Sequence, residues 1–144
     1  MVIDVNLLAR QGKELEDFSF DLLINQDLVL APETELVDGK IQGKIYLEDK
    51  IYVKGFITFT VQGACSRCLE PAKEFVKIEF DEVFSQRPID DEYRYKSGKV
   101  DLTEMVNDKI LSGQPSILLC NENCKGLCPK CGCNLNLGDC SCEK

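Results

Sequence analysis

The sequence predicts an α+β protein with a mainly antiparallel β body, one short helix and a C-terminal tail rich in cysteine. Two long stretches alternate apolar and polar residues, as half-buried strands do. Seven of the nine cysteines lie between Cys120 and Cys142, at the close spacing of metal ligands. We therefore divide the chain into a β-rich body, residues 1–119, which carries a C-x-x-C turn and the helix, and a metal-binding tail, residues 120–144, packed on or tethered to the body.

The β body is predicted segment by segment from this alternation. Residues 18–22 alternate phenylalanine and leucine with serine and aspartate, which indicates a strand. Residues 37–47 and residues 51–62 repeat the alternation over a greater length, and the charged residues 48–50 between them can turn the chain, so the two runs predict a hairpin. A further β segment follows Pro71. The connections are too short for crossovers, which favours antiparallel pairing.

Residues 85–99 are predicted to form a mobile surface loop. They hold one proline, one glycine and many charged side chains, with few apolar anchors. Tyr93 and Tyr95 stand among basic residues, an arrangement that can contact RNA. Three consecutive acidic residues dilute that charge, so the solvated loop is favoured.

A short helix is predicted over residues 102–111. Apolar residues recur on one face of this segment, and Asp101 and Glu104 have the spacing of a capping box at its start. Pro115 cannot continue a helix, so the helix ends before it.

The composition indicates the cellular compartment and the kinds of binding partner. No stretch approaches the roughly 20 apolar residues that a membrane span requires, and the first residues do not have the pattern of a signal peptide. We therefore expect a cytoplasmic protein, in which closely spaced thiols are metal ligands rather than disulfides. The formal net charge of −8 gives no general attraction for nucleic acid, so any RNA contact must be local.

Eight of the nine cysteines form two groups of four, and each group is predicted to bind one metal ion. The strongest element is a C-P-K-C-G knuckle, in which glycine permits the tight turn. Together with a nearby pair it forms the first site, whose ligands are Cys128, Cys131, Cys140 and Cys142. The C-x-x-C turn of the body and a looser tail pair form the second site, whose ligands are Cys65, Cys68, Cys120 and Cys124. Cys133 is left over, either as a spare thiol or as a substitute ligand.

Zinc is the expected metal, with two ions per chain, because four thiolates suit its tetrahedral coordination and the chain has no histidine. Iron, in a rubredoxin-like site or an iron–sulfur cluster, accepts the same ligands and stays open as an alternative. A catalytic zinc leaves one coordination position for water, whereas cysteines here suffice to close both sites. We therefore expect no enzymatic activity, no catalytic residues and no small-molecule substrate.

The order of these motifs resembles a known family. The resemblance begins with Cys65-Ser-Arg-Cys68-Leu-Glu-Pro71 and continues through an acidic stretch. It ends with Cys120-x-x-x-Cys124-Lys-Gly-Leu-Cys128-Pro-Lys-Cys131-Gly, followed by Asn134-Leu-Asn136 and Cys140-Ser-Cys142. This pattern is similar to that of the YceD family of bacterial large ribosomal RNA subunit accumulation proteins, although residues 1–60 match only in general character. The resemblance implies a role in 23S ribosomal RNA accumulation or processing and in assembly of the large ribosomal subunit, in bacteria and plastids.

The same resemblance implies the partners. They are a precursor of the large ribosomal subunit or an assembly protein, with no membrane involved. The candidates for local RNA or partner contact are the basic residues around the cysteine sites: Arg67, Lys125 and Lys130. Two other interpretations stay open, namely a zinc-ribbon adaptor between proteins unrelated to ribosomes and a rubredoxin-like electron carrier.

Overall fold

In the computed structural model, the described residues are 1–138, so Cys140 and Cys142 of the predicted first site lie outside them. The elements run in the order β1 (Val2–Asp4), α1 (Val5–Arg10), β2 (Leu15–Leu22), β3 (Thr34–Leu47), β4 (Ile51–Ala64), β5 (Pro71–Ser85), β6 (Tyr93–Arg94), β7 (Lys99–Asp101) and α2 (Thr103–Gly113). Two single 3-10 turns, Gln26–Leu28 and Leu135–Leu137, complete the list. No helix among these residues has the length and apolar character needed to cross a membrane.

The main sheet has five strands in the order β2-β3-β4-β5-β6, and three long antiparallel strands form its centre. The predicted hairpin is confirmed: β3 turns into β4 with Leu47 opposite Ile51. The strand predicted at residues 18–22 is the second half of β2, which pairs antiparallel with β3. Strands β1 and β7 form a separate two-stranded antiparallel sheet.

One face of the main sheet, the inner face, forms the core. Ile41, Ile45, Val53, Ile57 and Phe59 are fully buried there. Helix α2 contributes its own buried residues to the same cluster, which are Met105, Val106 and Ile110. Along β4 and from Lys40 to Leu47 the period of two in the sequence buries every second side chain and leaves most of its neighbours at least partly exposed. A bulge between Val37 and Lys40 shifts the register, so Leu36 is buried whereas Val37, at the start of the predicted run, is not.

Two glycines face each other in the middle of the hairpin. Gly43 pairs with Gly55, and the same row continues to Phe18 on β2 and Phe80 on β5. A Cβ atom added to Gly55 would collide with the carbonyl oxygen of Gln42. The two strands therefore approach too closely at this point for any larger residue.

The structure corrects the expectation of one helix, since the described residues contain two. In α1, the Asp4 carboxylate accepts a hydrogen bond of 3.0 Å from the Leu7 amide, and Val5 and Leu8 are buried. Six residues make fewer than two turns, too short a segment for a helical period to be read from the sequence.

The predicted helix near residue 102 exists, but its start differs from the capping box expected there. Helix α2 begins at Thr103, and Leu102 at its N-cap position makes no side-chain cap. The Asp101 carboxylate instead accepts hydrogen bonds from the Thr103 amide at 3.0 Å and its hydroxyl at 2.7 Å. The helix therefore begins one residue later than the spacing of Asp101 and Glu104 predicts.

Residues 85–99 form a surface connection over most of their length, as predicted, but the structure contradicts the expectation that this loop lacks anchors. Strand β6 pairs in parallel with the end of β5, which makes the sheet mixed rather than wholly antiparallel. The Tyr93 ring stacks on Phe84 with 5.3 Å between centroids, and its hydroxyl donates to Asp108 at 2.8 Å. Burial and the Asp108 carboxylate raise the pKa of Tyr93. A half-buried tyrosine and an ion pair of 2.6 Å between Lys50 and Glu92 thus replace the missing aliphatic anchors.

Gly55→Ala is expected to destabilise the fold by about 1–3 kcal/mol, because the added methyl group forces two strands apart in a packed sheet. Urea unfolding followed by circular dichroism measures the change. Thr58→Ala, on the exposed face of the same strand, is the matched control and should cost less than about 1 kcal/mol. Equal unfolding midpoints for the two variants would contradict the close approach of the strands.

Candidate metal centre

The first thiol pair lies on the connection between β4 and β5. The Leu69 amide donates to the Cys65 carbonyl at 2.9 Å, and the Cys65 amide donates to the Glu70 carbonyl at 2.8 Å. Leu69 adopts a φ of 65°, in the left-handed region. This tight turn buries Cys65 and Cys68 at the end of the sheet.

The second pair comes from the tail and is brought to this turn by the residues before it. Leu118 is fully buried, and its carbonyl accepts a hydrogen bond of 2.7 Å from the Ser66 amide. The Arg67 guanidinium donates to the Cys124 carbonyl at 2.9 Å. Hydrogen bonds to Leu118, just before the tail, and to Cys124 within it therefore hold the start of the tail beside the thiol turn.

The four sulfurs form a compact group. Cys65 Sγ lies 3.6 Å from Cys124 Sγ, and Cys68 Sγ lies 3.6 Å from Cys120 Sγ. All four sulfur atoms lie within 4.8 Å of one another. These are not disulfides, whose sulfurs are about 2.05 Å apart. A tetrahedron with metal–sulfur bonds of about 2.3 Å has edges of about 3.8 Å, so the donor set fits one tetrahedral metal ion.

The surroundings of the sulfurs favour ionisation of some thiols and oppose it for others. Burial disfavours the Cys65 thiolate, but the backbone amides of Cys68, Arg67 and Cys120 stabilise it and lower the pKa of Cys65 to about 6. Removal from water, followed by hydrogen bonding among the neighbouring thiols, raises the pKa of Cys120 to about 12. Four thiolates this close repel one another, so full ionisation of the group requires a cation among them.

The second thiol group lies in the C-P-K-C-G knuckle. The Gly132 amide donates to the Cys128 carbonyl at 2.9 Å, and the Cys128 amide donates to the Cys133 carbonyl at 2.8 Å. The sulfurs of Cys128, Cys131 and Cys133 lie within 4.8 Å of one another. Of the two roles left open for Cys133, this arrangement favours the substitute ligand.

Asn136 supports the first thiol group and was missed as a site residue by the sequence reasoning. Its side-chain oxygen accepts a hydrogen bond of 2.8 Å from the Lys125 amide. Its side-chain nitrogen lies 3.3 Å from Cys124 Sγ, to which it donates, and this bond is the leading cause that lowers the pKa of Cys124. The only signal in the sequence was its place in the asparagine-rich segment that follows the knuckle.

The remaining predicted contact residues lie at the surface around these groups. Lys125 and Lys130 are exposed. Arg67 is exposed as well, but its guanidinium is engaged by the Cys124 carbonyl, so it also supports the first thiol group. A role in RNA or partner contact stays a prediction for all three residues.

Comparison with known proteins identifies the family. The family model described as large ribosomal RNA subunit accumulation protein YceD matches residues 53–144, from β4 to the last residue. The chain belongs to the YceD family. The matched region contains every cysteine of both thiol groups.

Individual curated relatives have low sequence identity to this chain, between 22% and 27%. An uncharacterized protein of Mycobacterium tuberculosis is 27% identical, with 92% of this chain and 69% of the relative covered. An uncharacterized protein of Mycobacterium leprae is 26% identical, with 89% and 56% covered. The chloroplastic YCED homolog 1 of Zea mays, named a large ribosomal RNA subunit accumulation protein, is 22% identical, with 65% and 44% covered. No solved structure matches.

Asn136→Ala is expected to weaken metal binding by about 10- to 100-fold, because an outer hydrogen bond that orients a ligand typically has that effect on affinity. Zinc affinity is measured by competition with a chromophoric chelator. Asn123→Ala, at an exposed asparagine elsewhere in the tail, is the matched control and should bind zinc as the unaltered chain does. Equal affinities for all three proteins would show that Asn136 does not position Cys124.

Proposed function

We propose that this YceD family member is a zinc-stabilised, non-enzymatic factor in 23S ribosomal RNA accumulation and large ribosomal subunit assembly. The observation that carries the proposal is the four-sulfur group formed by Cys65, Cys68, Cys120 and Cys124 inside the region that the family model matches. The family description and the name of the maize relative support the ribosomal part.

The metal is proposed to be structural. Four cysteine sulfurs are enough to close a tetrahedral site, whereas a catalytic zinc keeps a position open for water or substrate. The group also lies at the junction between the sheet and the tail, where three of its cysteines are buried. In this account zinc holds the tail against the body and takes no part in a reaction.

A second zinc ion is proposed for the knuckle. Cys128, Cys131 and Cys133 supply three sulfurs within mutual reach. In this proposal, Cys140 or Cys142 supplies the fourth ligand. Zinc is the proposed ion because closed sites of four cysteines are typical of structural zinc, and iron, which accepts the same ligands, is the alternative that elemental analysis separates.

Elemental analysis of protein purified without added metal is expected to give two zinc ions per chain. The double variant Cys65→Ser, Cys68→Ser should retain one ion, because it removes half of the ligands of the junction site. Cys133→Ser should weaken the other ion only. One zinc ion that is unaffected by the double substitution would contradict the junction site, and coloured protein containing iron would favour the electron carrier.

The ribosomal role is tested by sedimentation of lysates on sucrose gradients. The protein is expected to migrate with precursors of the large subunit, and its depletion should reduce mature 23S ribosomal RNA relative to 16S. The double variant Cys65→Ser, Cys68→Ser should fail to restore that ratio. An unchanged ratio after depletion, with the protein confined to the top of the gradient, would contradict the proposal.

A protein adaptor unrelated to ribosomes is the second candidate, and one observation favours it. Strand β2 is the edge of the main sheet and pairs only with β3 among the described residues. An exposed edge can accept a strand from a partner. The same gradients distinguish the two candidates, since an adaptor of this kind would not follow subunit precursors.

A further inference from the structure

The face of the main sheet opposite the core is open to solvent and carries an unusual combination of side chains. We call the alternate residues of β3, β4 and β5 that point away from the core the outer face. Helix α2 packs on the other side of the sheet, where a Cβ atom at Gly113 would meet Ile78. No described helix therefore covers the outer face.

The outer face concentrates positive charge in an acidic protein. The three strands present five lysines there, at positions given by their pairing: Lys40, Lys44, Lys54, Lys73 and Lys77. Only three carboxylates share the same positions, namely Glu35, Glu79 and Asp81. The outer face thus has a net charge of two positive, whereas the whole chain has a net charge of −8. On the same side of the sheet, the edge strand β2 sets Asp17 opposite Lys44 and Asp21 opposite Lys40, so the net positive charge is confined to the three central strands. Two of the five lysines are ion-paired at 3.9 Å, Lys44 with Asp17 and Lys54 with Asp81.

Aromatic side chains alternate with these lysines. Tyr46 pairs with Tyr52 across the hairpin, and Phe75, which is 68% exposed, lies next to Thr60. Lys54 Nζ lies 5.8 Å from the centre of the Tyr46 ring, and Lys77 Nζ lies 4.4 Å from that of Phe56. Phe75 is exposed and the other three rings are half-buried, so all four lie outside the core, and two of them have a lysine ammonium beside them.

We propose that the outer face binds single-stranded RNA, an inference that rests on the proposed function and names its contact surface. Unpaired bases stack on exposed aromatic rings, while lysines between the rings neutralise the phosphates. A duplex hides its bases from such a sheet and gains only the electrostatic contacts. The acidic remainder of the chain repels the RNA phosphates, so binding is confined to the outer face. This is what the net charge of −8 predicts for any RNA contact.

The direct test is fluorescence anisotropy of a fluorescein-labelled, unstructured 12-nucleotide RNA with the zinc-loaded full chain over a range of salt concentrations. Lys40 and Lys77 flank the same β4 residue, Thr58. Lys40→Gln, Lys77→Gln should lower affinity tenfold or more at low salt and reduce the salt slope by about 1.4, the value for two lost phosphate contacts on a single strand. Phe75→Ala should lower affinity about tenfold with an unchanged slope.

The matched control is Arg10→Gln, Lys13→Gln, which removes the same charge from an exposed segment outside the main sheet and both thiol groups. It should bind the RNA as the unaltered chain does, and a 12-base-pair duplex should bind more weakly than the single strand. Loss of binding in a Lys125→Gln, Lys130→Gln variant, with normal binding by the outer-face variants, would overturn the proposal and assign RNA contact to the tail.

Sedimentation separates failure of this inference from failure of the proposed function. If the unaltered chain follows subunit precursors but binds no single-stranded RNA, only the outer-face proposal fails. If the outer-face variants no longer co-sediment with subunit precursors, and the unaltered chain binds no RNA, the outer face binds a protein. The RNA proposal is then overturned. Absence from precursors altogether contradicts the proposed function itself.

Discussion

The meeting of four thiols at the end of the sheet is the interaction on which the tail depends. Among residues 120–138, buried positions are few: Cys124, Gly126 and Cys128. Leu137 is 87% exposed, so the tail buries little apolar surface of its own. A structural zinc ion supplies about 10–16 kcal/mol in small peptides, against a net stability of about 5–15 kcal/mol for a domain. Metal coordination can therefore replace a hydrophobic core in the tail.

The body positions one half of this centre, the turn that carries Cys65 and Cys68. Strands β4 and β5 pair along their whole length up to Ala64 and Pro71, and the thiol turn begins with the next residue. Leu118 and Arg67 then align the tail with that turn through hydrogen bonds. The family match begins within β4, so the matched region is the part of the chain that builds and positions both thiol groups. Strands β4 and β5 support the thiol turn and also carry part of the outer face. The same two strands therefore link the candidate metal centre to the proposed RNA-binding surface.

Much of this architecture was predictable because it follows from local rules. The hairpin was predicted because alternating residues on both sides of a short turn leave little choice of register, whereas the bulge between Val37 and Lys40 was not predicted. The C-x-x-C spacing predicted a thiol turn. The contacts made by side chains from distant positions were not predictable. Tyr93 reaches Phe84 and Asp108 across the fold, and Asn136 reaches Cys124 only after the tail folds back. Helix α1 is too short for its period to be recognised, and spacing alone did not decide between Cys133 and the later cysteines.

The central claim is that one metal ion joins the body to the tail. The most direct measurement is a correlation spectrum between protons and cadmium-113 in protein whose zinc has been exchanged for that isotope, since each metal nucleus couples to the β protons of its own ligands. We expect one cadmium signal to correlate with Cys65, Cys68, Cys120 and Cys124 together. Correlations confined to cysteines after residue 119, with none to Cys65 or Cys68, would contradict the account.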